Sequence, residues 1–212
     1  MEIKAKTGSN ECDITVRDRL LMAAAQIFNS NGYSATTVRE IVAAAGVTKP
    51  VLYYYFHNKE GIYIAIMERA QEELNRLFVT LRESQGSARE KIYRVLDELF
   101  KCMQQHREIV RLIHAGYYGP PNSAPPFNFD AFDHTFHDTL RALAEEGVRM
   151  GEFRTADPQD LALAIGGIFA ICHDIELIHP EMAVGPNGLR RILDLILNGI
   201  AVDGVSGKED QR

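Results

Sequence analysis

The chain has 212 residues, 46% hydrophobic and 25% charged, the proportions of an ordinary globular protein able to bury a core. Its three cysteines (Cys12, Cys102, Cys172) are far apart and odd in number, which argues against a disulfide framework or zinc finger and suits a reducing cytoplasm. Net charge is −6 but uneven: seven Lys/Arg face six Asp/Glu through residue 62 and sixteen face twenty-three beyond it, so a nucleic-acid partner has to be held by placed contacts rather than a strong basic field.

Residues 1–13 are polar and aperiodic, which predicts a flexible tail. They lack the basic-then-apolar pattern of an export signal. A first helix is predicted over 15–31, with Val16, Leu20, Ala24, Ile27 and Phe28 on one face and Gly32 as its stop. Two short helices follow. Val38, Ile41, Val42 and Ala45 recur at i, i+3, i+4 and i+7, and Gly46 stands where a helix C-terminus favours a left-handed residue. Thr48 is placed to cap the next helix, with Lys49 and Pro50 in its first turn. This is a helix-turn-helix, whose second helix can enter the DNA major groove. In that helix Leu52 and Phe56, spaced i and i+4, supply a buried face. Tyr53, Tyr54 and Tyr55 are about 100° apart, so they cannot all share it.

A fourth helix is predicted from 58 to 82, and a Ser-Gln-Gly-Ser break at 84–87 separates it from a fifth over 88–105. A shorter helix near 107–115 leads into a loop, 116–127, holding four of the eight prolines. Three further helices are expected at 129–150, 158–178 and 187–202, and residues 203–212 as a second flexible tail. The most apolar run without charge or histidine, residues 161–172, is too short for a membrane span. The fold is therefore expected to be all-α, with about nine helices.

The last two helices carry wide apolar stripes. Leu189, Ile192, Leu193, Ile196, Leu197 and Ile200 load one; Leu161, Ala164, Ile165, Ile168, Phe169 and Ile171 load the other, and Gly166-Gly167 permits close backbone approach. Such stripes suit two core helices or a self-associating pair. DNA binding favours the pair, because a two-fold dimer reads two half-sites. Ile165, Phe169, Leu189, Ile192, Leu193 and Ile196 are then the expected dimer interface.

The segment from Ile27-Phe28 and Gly32-Tyr33 through Thr36-Thr37, Val38-Arg39-Glu40-Ile41, Ala45-Gly46-Val47, Leu52-Tyr53, Phe56 and Lys59-Glu60 resembles the TetR family of bacterial transcriptional regulators. The resemblance covers about fifty residues. It implies a DNA-binding domain over 14–60 and an effector-binding and dimerisation domain over 61–202. It assigns Thr37 to cap the second helix and offer its hydroxyl and a helix-end N–H to phosphate. Arg39 suits a guanine edge, and Thr48, Lys49, Pro50 and Val51 sit where the recognition helix meets bases. Tyr53 and Tyr54 are expected to reach phosphates, with Tyr55 assisting. Lys59, at the start of the fourth helix, adds its charge to the helix dipole in attracting phosphate.

The effector side is less legible. His114, Tyr118, Phe132, Phe136 and His173 are the expected pocket residues, an aromatic set with polar groups, although core packing explains such a set equally well. His134/His137 and His173/Glu176 are each three apart, a spacing open to a zinc-type site, but neither pair carries a diagnostic motif. No metal or other cofactor is expected. Cys102 and Cys172 read as packing residues rather than redox sensors. No HExxH, GxSxG, GxGxxG or P-loop pattern points to an enzyme. The sequence reading is a cytoplasmic homodimeric repressor, released from a palindromic operator by a small apolar or aromatic effector. A metal- or redox-responsive regulator, an activator, and an interaction module that reads no specific DNA are the alternatives.

Overall fold

A computed structural model of the chain describes residues 15–154 and 156–199. The expected tails at 1–13 and 203–212, Cys12 and residues 200–202 of the ninth helix lie outside the described residues. Among the described residues there are nine α-helices, one 3-10 turn and no strand. They are α1 (Val16–Asn31), α2 (Val38–Ala44), α3 (Lys49–Phe56), α4 (Lys59–Arg82), α5 (Ala88–Gln105), α6 (Arg107–Tyr118), α7 (Asp130–Arg149), α8 (Pro158–Ile178) and α9 (Gly185–Asn198). Local chemistry explains four of the helix starts. Thr15/Asp18, Thr37/Glu40 and Ser87/Glu90 each form a reciprocal capping box at the start of α1, α2 and α5. Asp157 caps α8 ahead of Pro158.

The chain packs as two compact units. Among the described residues, the first comprises 15–69 together with 108–127. Its core is Leu20, Leu21, Ala24 and Phe28 of α1, Ile41 and Val42 of α2, Leu52 and Phe56 of α3, and Ile62, Tyr63, Ile66 and Met67 of α4. Burying each large side chain contributes about 1.5–3 kcal/mol. The unit runs past the expected limit at residue 60 because the first turns of α4 donate four of these core residues. Residues 108–127 join it through Asn29, whose Nδ2 donates to the Glu108 carbonyl at 2.6 Å, and Ser34, whose Oγ donates to the Ser123 carbonyl at 3.4 Å. Phe28, Tyr33 and Tyr63 form a ring triad with centroids 5.3–5.8 Å apart. Burial, with Tyr33 beside it, pushes the Tyr63 phenol up to about 12.

The second unit comprises 70–107 and the described residues from 128 to 199. α7 packs along α8, α8 on α9, and α5 against both α7 and α9. Its core gathers Phe78, Ile92, Val95, Leu96, Leu99, Leu140, Leu143, Ala162, Ile165, Phe169, Cys172, Leu189 and Leu193. The Glu152 carboxylate accepts from the Ala88 and Arg89 amides (3.0 and 3.1 Å), tying the segment after α7 to the start of α5. Lys91 pairs with Glu146 at 2.8 Å in a half-buried setting.

α8 is, by length and composition, long and apolar enough to cross a membrane, although its run free of charge and histidine spans only residues 161–172. In the structure its Ala162, Ile165, Phe169 and Cys172 face is core. This corrects the expected dimer interface. Ile165, Phe169, Leu189 and Leu193 are no more than 3% exposed and pack in one core cluster, so they cannot meet a second copy; Ile192 and Ile196 are half-buried. The apolar residues left outside are Leu163 (52%), Ile171 (62%) and Ile178 on α8 and Leu195 (55%) on α9. On α8 they stand with exposed Ala164, Gly167 and Ala170 on the face opposite the core. A helix apolar on nearly all sides satisfies two faces at once, and periodicity selects the wrong one.

Candidate nucleic-acid interface

The turn between α2 and α3 is closed by two backbone bonds, Val47 N to Val42 O at 2.9 Å and Gly46 N to Ala43 O at 3.3 Å. This is a Schellman ending, with Gly46 at φ +65° supplying its left-handed residue. A methyl group at Gly46 meets nothing within 4 Å, so backbone conformation and not space demands glycine there. Pro50 sits in the first turn of α3. Leu52 and Phe56 then point into the first unit's core. Lys49, Pro50, Tyr53 (45%) and Tyr54 (79%) lie outside, and Tyr55 (40%) is exposed as well. Val51 is half-buried. Tyr54 and Tyr55 meet edge to face at 5.1 Å. The result is a helix with an exposed cation, proline ring and three phenols. Arg39, on the outer side of α2, is exposed and makes no ion pair among the described residues.

Three expected contact groups are placed differently from the sequence reading. Lys59 is the largest departure. Its Nζ donates to the carbonyls of Tyr33 (2.7 Å), Thr36 (2.9 Å) and Ser34 (3.4 Å) and lies 4.2 Å from the centre of the Tyr33 ring. All three ammonium protons are committed internally, and burial holds the group below its ordinary lysine value. Lys59 therefore ties the α1–α2 connection to α4 instead of projecting a charge. Thr37 does cap α2, but its hydroxyl (2.8 Å) and amide (2.7 Å) both donate to Glu40 Oε2. The hydrogen bonds from Thr37 hold the Glu40 carboxyl below its ordinary range, so an anion already occupies the end that phosphate was expected to take. Thr48 stands at the N-cap of α3 without a capping bond from its side chain. Thr48 itself is exposed, next to the exposed Lys49.

The expected pocket residues fall into two groups. His114 and Tyr118 belong to the first unit, with ring centroids 4.7 Å apart. Phe132, Phe136 and His173 belong to the second. There Phe136 lies between Phe78 (5.9 Å) and Phe169 (5.3 Å), and Phe169 stacks on His173 at 6.4 Å. Phe132 is half-buried. Among the described residues no three His, Cys, Asp or Glu side chains are grouped to hold an ion. Glu176 accepts from the Gly185 amide at 3.1 Å and His173 faces Asp174 at 3.6 Å. Burial raises both the Cys102 and Cys172 thiols, which disfavours the reactive thiolate.

Residues 20–66 match the family model described as "Bacterial regulatory proteins, tetR family". The chain is 25% identical over 190 residues to the HTH-type transcriptional regulator QacR of Staphylococcus aureus, an alignment covering 84% of this chain and all of QacR. It is 30% identical over 102 residues to the HTH-type transcriptional activator FasR of Mycolicibacterium smegmatis, covering 48% of this chain. That alignment spans about half the relative's length, 47% of FasR. Among solved structures, the TetR family transcriptional regulator PfmR from Thermus thermophilus superposes with a TM-score of 0.70 at 24% identity, over 87% of this chain and 100% of the other.

Proposed function

The chain belongs to the TetR family, and on that premise we propose that it is a ligand-responsive transcriptional regulator that holds a palindromic operator as a homodimer. The observation that carries the reading is the outer side of α3, where Lys49, Pro50, Tyr53 and Tyr54 share one exposed face over the buried Leu52 and Phe56. Lys49 is placed for a guanine edge, and Pro50 and Val51 for a thymine methyl. The tyrosine hydroxyls take phosphate. Arg39 adds a contact from α2. Lys59 is left out of this set and Thr37 contributes only through its cap.

Dimerisation is assigned to the outer faces of α8 and α9, through Leu163, Ile171, Ile178 and Leu195, with Ile192 and Ile196 at the margin. Gly167, beside which a methyl group meets nothing, lets the copies approach closely. An apolar or aromatic effector is supported by the aromatic series Phe78–Phe136–Phe169–His173 within the second unit. A ligand that prefers one conformation of the chain shifts DNA affinity by that preference, and α4, which runs through both units, is the natural lever. Repression relieved by the effector is the proposed mode, carried out in the cytoplasm; the operator's position relative to the promoter sets the sign.

The test is selection from random duplexes followed by affinity measurement. The wild type is expected to enrich a palindrome. Lys49→Ala should relax preference at one position per half-site, at about 1–3 kcal/mol. Tyr53→Phe should weaken binding without altering the preferred sequence. Unchanged affinity and footprint in both variants sinks the assignment of α3.

A further inference from the structure

Arg17 stands in the first turn of α1, and its guanidinium carbon lies 5.4 Å from the centre of the Phe56 ring. Phe56 is the last residue of α3, and its sequence neighbours Tyr55 and His57 are both exposed. The stacking therefore brings a cation from another helix to the C-terminal end of the recognition helix. His57 closes that helix at φ +62°, turning the chain sharply into α4. Arg17 itself is exposed. Among the described residues it forms no ion pair and donates no side-chain hydrogen bond. The acid beside it, Asp18, is taken up by the Thr15 hydroxyl at 2.6 Å and by Arg69. Lys59, the cation expected at this end of α3, is turned inward.

We infer that Arg17 is a phosphate-contacting residue, gripping the DNA backbone where it passes the C-terminal end of α3. The planar guanidinium, held on an aromatic face, is pre-organised for a bidentate phosphate contact and loses less freedom on binding than a mobile lysine. Such a contact positions the recognition helix without reading bases. The inference rests on the DNA-binding reading above.

The experiment measures affinity for the palindrome selected by the wild type, by fluorescence anisotropy across a KCl series, for wild type, Arg17→Met, Arg17→Gln and Arg17→Lys. Each neutralised phosphate contributes about 0.9 to the slope of log affinity against log salt. With one contact per subunit, Arg17→Met and Arg17→Gln should lower the slope by about 2 per dimer and weaken binding at least about 5-fold. The selected sequence should not change, and Arg17→Lys should keep the slope. Thermal unfolding of each variant separates this from a packing role, and Arg17→Gln replaces Arg17→Met as the probe should the latter not fold. Wild-type affinity and slope in Arg17→Met overturn the inference, as does weaker binding with an unchanged slope, which marks a role confined to packing on Phe56. Should the wild type select no sequence, the DNA-binding reading fails and this inference falls with it. A wild type that selects a palindrome beside an unaltered Arg17→Met overturns the inference alone.

Discussion

Replacing Lys59 by methionine removes one ammonium and keeps most of the apolar stem. The structure places that ammonium on three main-chain carbonyls, at 2.7, 2.9 and 3.4 Å, and 4.2 Å from the centre of the Tyr33 ring. Hydrogen bonds to a charged group contribute about 1.5–3 kcal/mol net, and an exposed cation–π contact about 0.5–1 kcal/mol. Part of this is offset by the cost of burying the ammonium, the same cost that holds Lys59 below its ordinary value. A net loss of about 2–3 kcal/mol remains, roughly 4–12 °C in the unfolding temperature of a chain this long. Circular dichroism melts of the wild type and Lys59→Met measure it. The same pair, titrated with operator across a salt series, should share one slope, because Lys59 holds no phosphate. An unchanged melting temperature together with a slope about 2 lower per dimer refutes the reasoning and returns Lys59 to the DNA surface.

Ile171→Glu is expected to yield folded monomers by sedimentation, whereas Phe169→Ala should cost about 3–5 kcal/mol of stability with assembly unaffected at temperatures where it stays folded; a monomeric Phe169→Ala that melts like wild type reverses the assignment of faces on α8. A methyl group at Gly61 falls against the Phe56 carbonyl oxygen, so Gly61→Ala should lose about 2–3 kcal/mol; Gly46→Ala, strained only by its positive φ, should lose about 1 kcal/mol in chemical denaturation. Asp18 is held below its ordinary value by the Thr15 hydroxyl first and Arg69 second. Its contribution is thus complete above the unfolded value of 3.8 and disappears as pH falls through the lower folded value. Melts of wild type and Asp18→Asn should differ at pH 6 and converge near pH 2, and a gap that persists at acid pH counts against the pairing.

What the sequence by itself determined was local. Helix starts at Thr15, Thr37 and Ser87 depend on partners three residues away, and the turn at Gly46 on one residue's φ. The buried side of α3 follows from Leu52 and Phe56 one turn apart. Interactions of that range are written in adjacent letters, so the helix starts, the turn and the buried side of α3 were legible, although Thr48, read as a cap, makes no capping bond. Tertiary structure alone decided where longer-range groups went. Lys59 finds carbonyls 23 to 26 positions back along the chain, and Arg17 finds a ring at the far end of another helix. Residues 108–127 pack with the first unit, an association no pattern within them announces. On α8 both faces are apolar, so 3.6-residue periodicity cannot say which one meets Leu140 and Leu189 in the core and which one is left for a second copy. Only the placement of neighbouring helices breaks that degeneracy, because burial belongs to the assembled core and not to the helix that enters it.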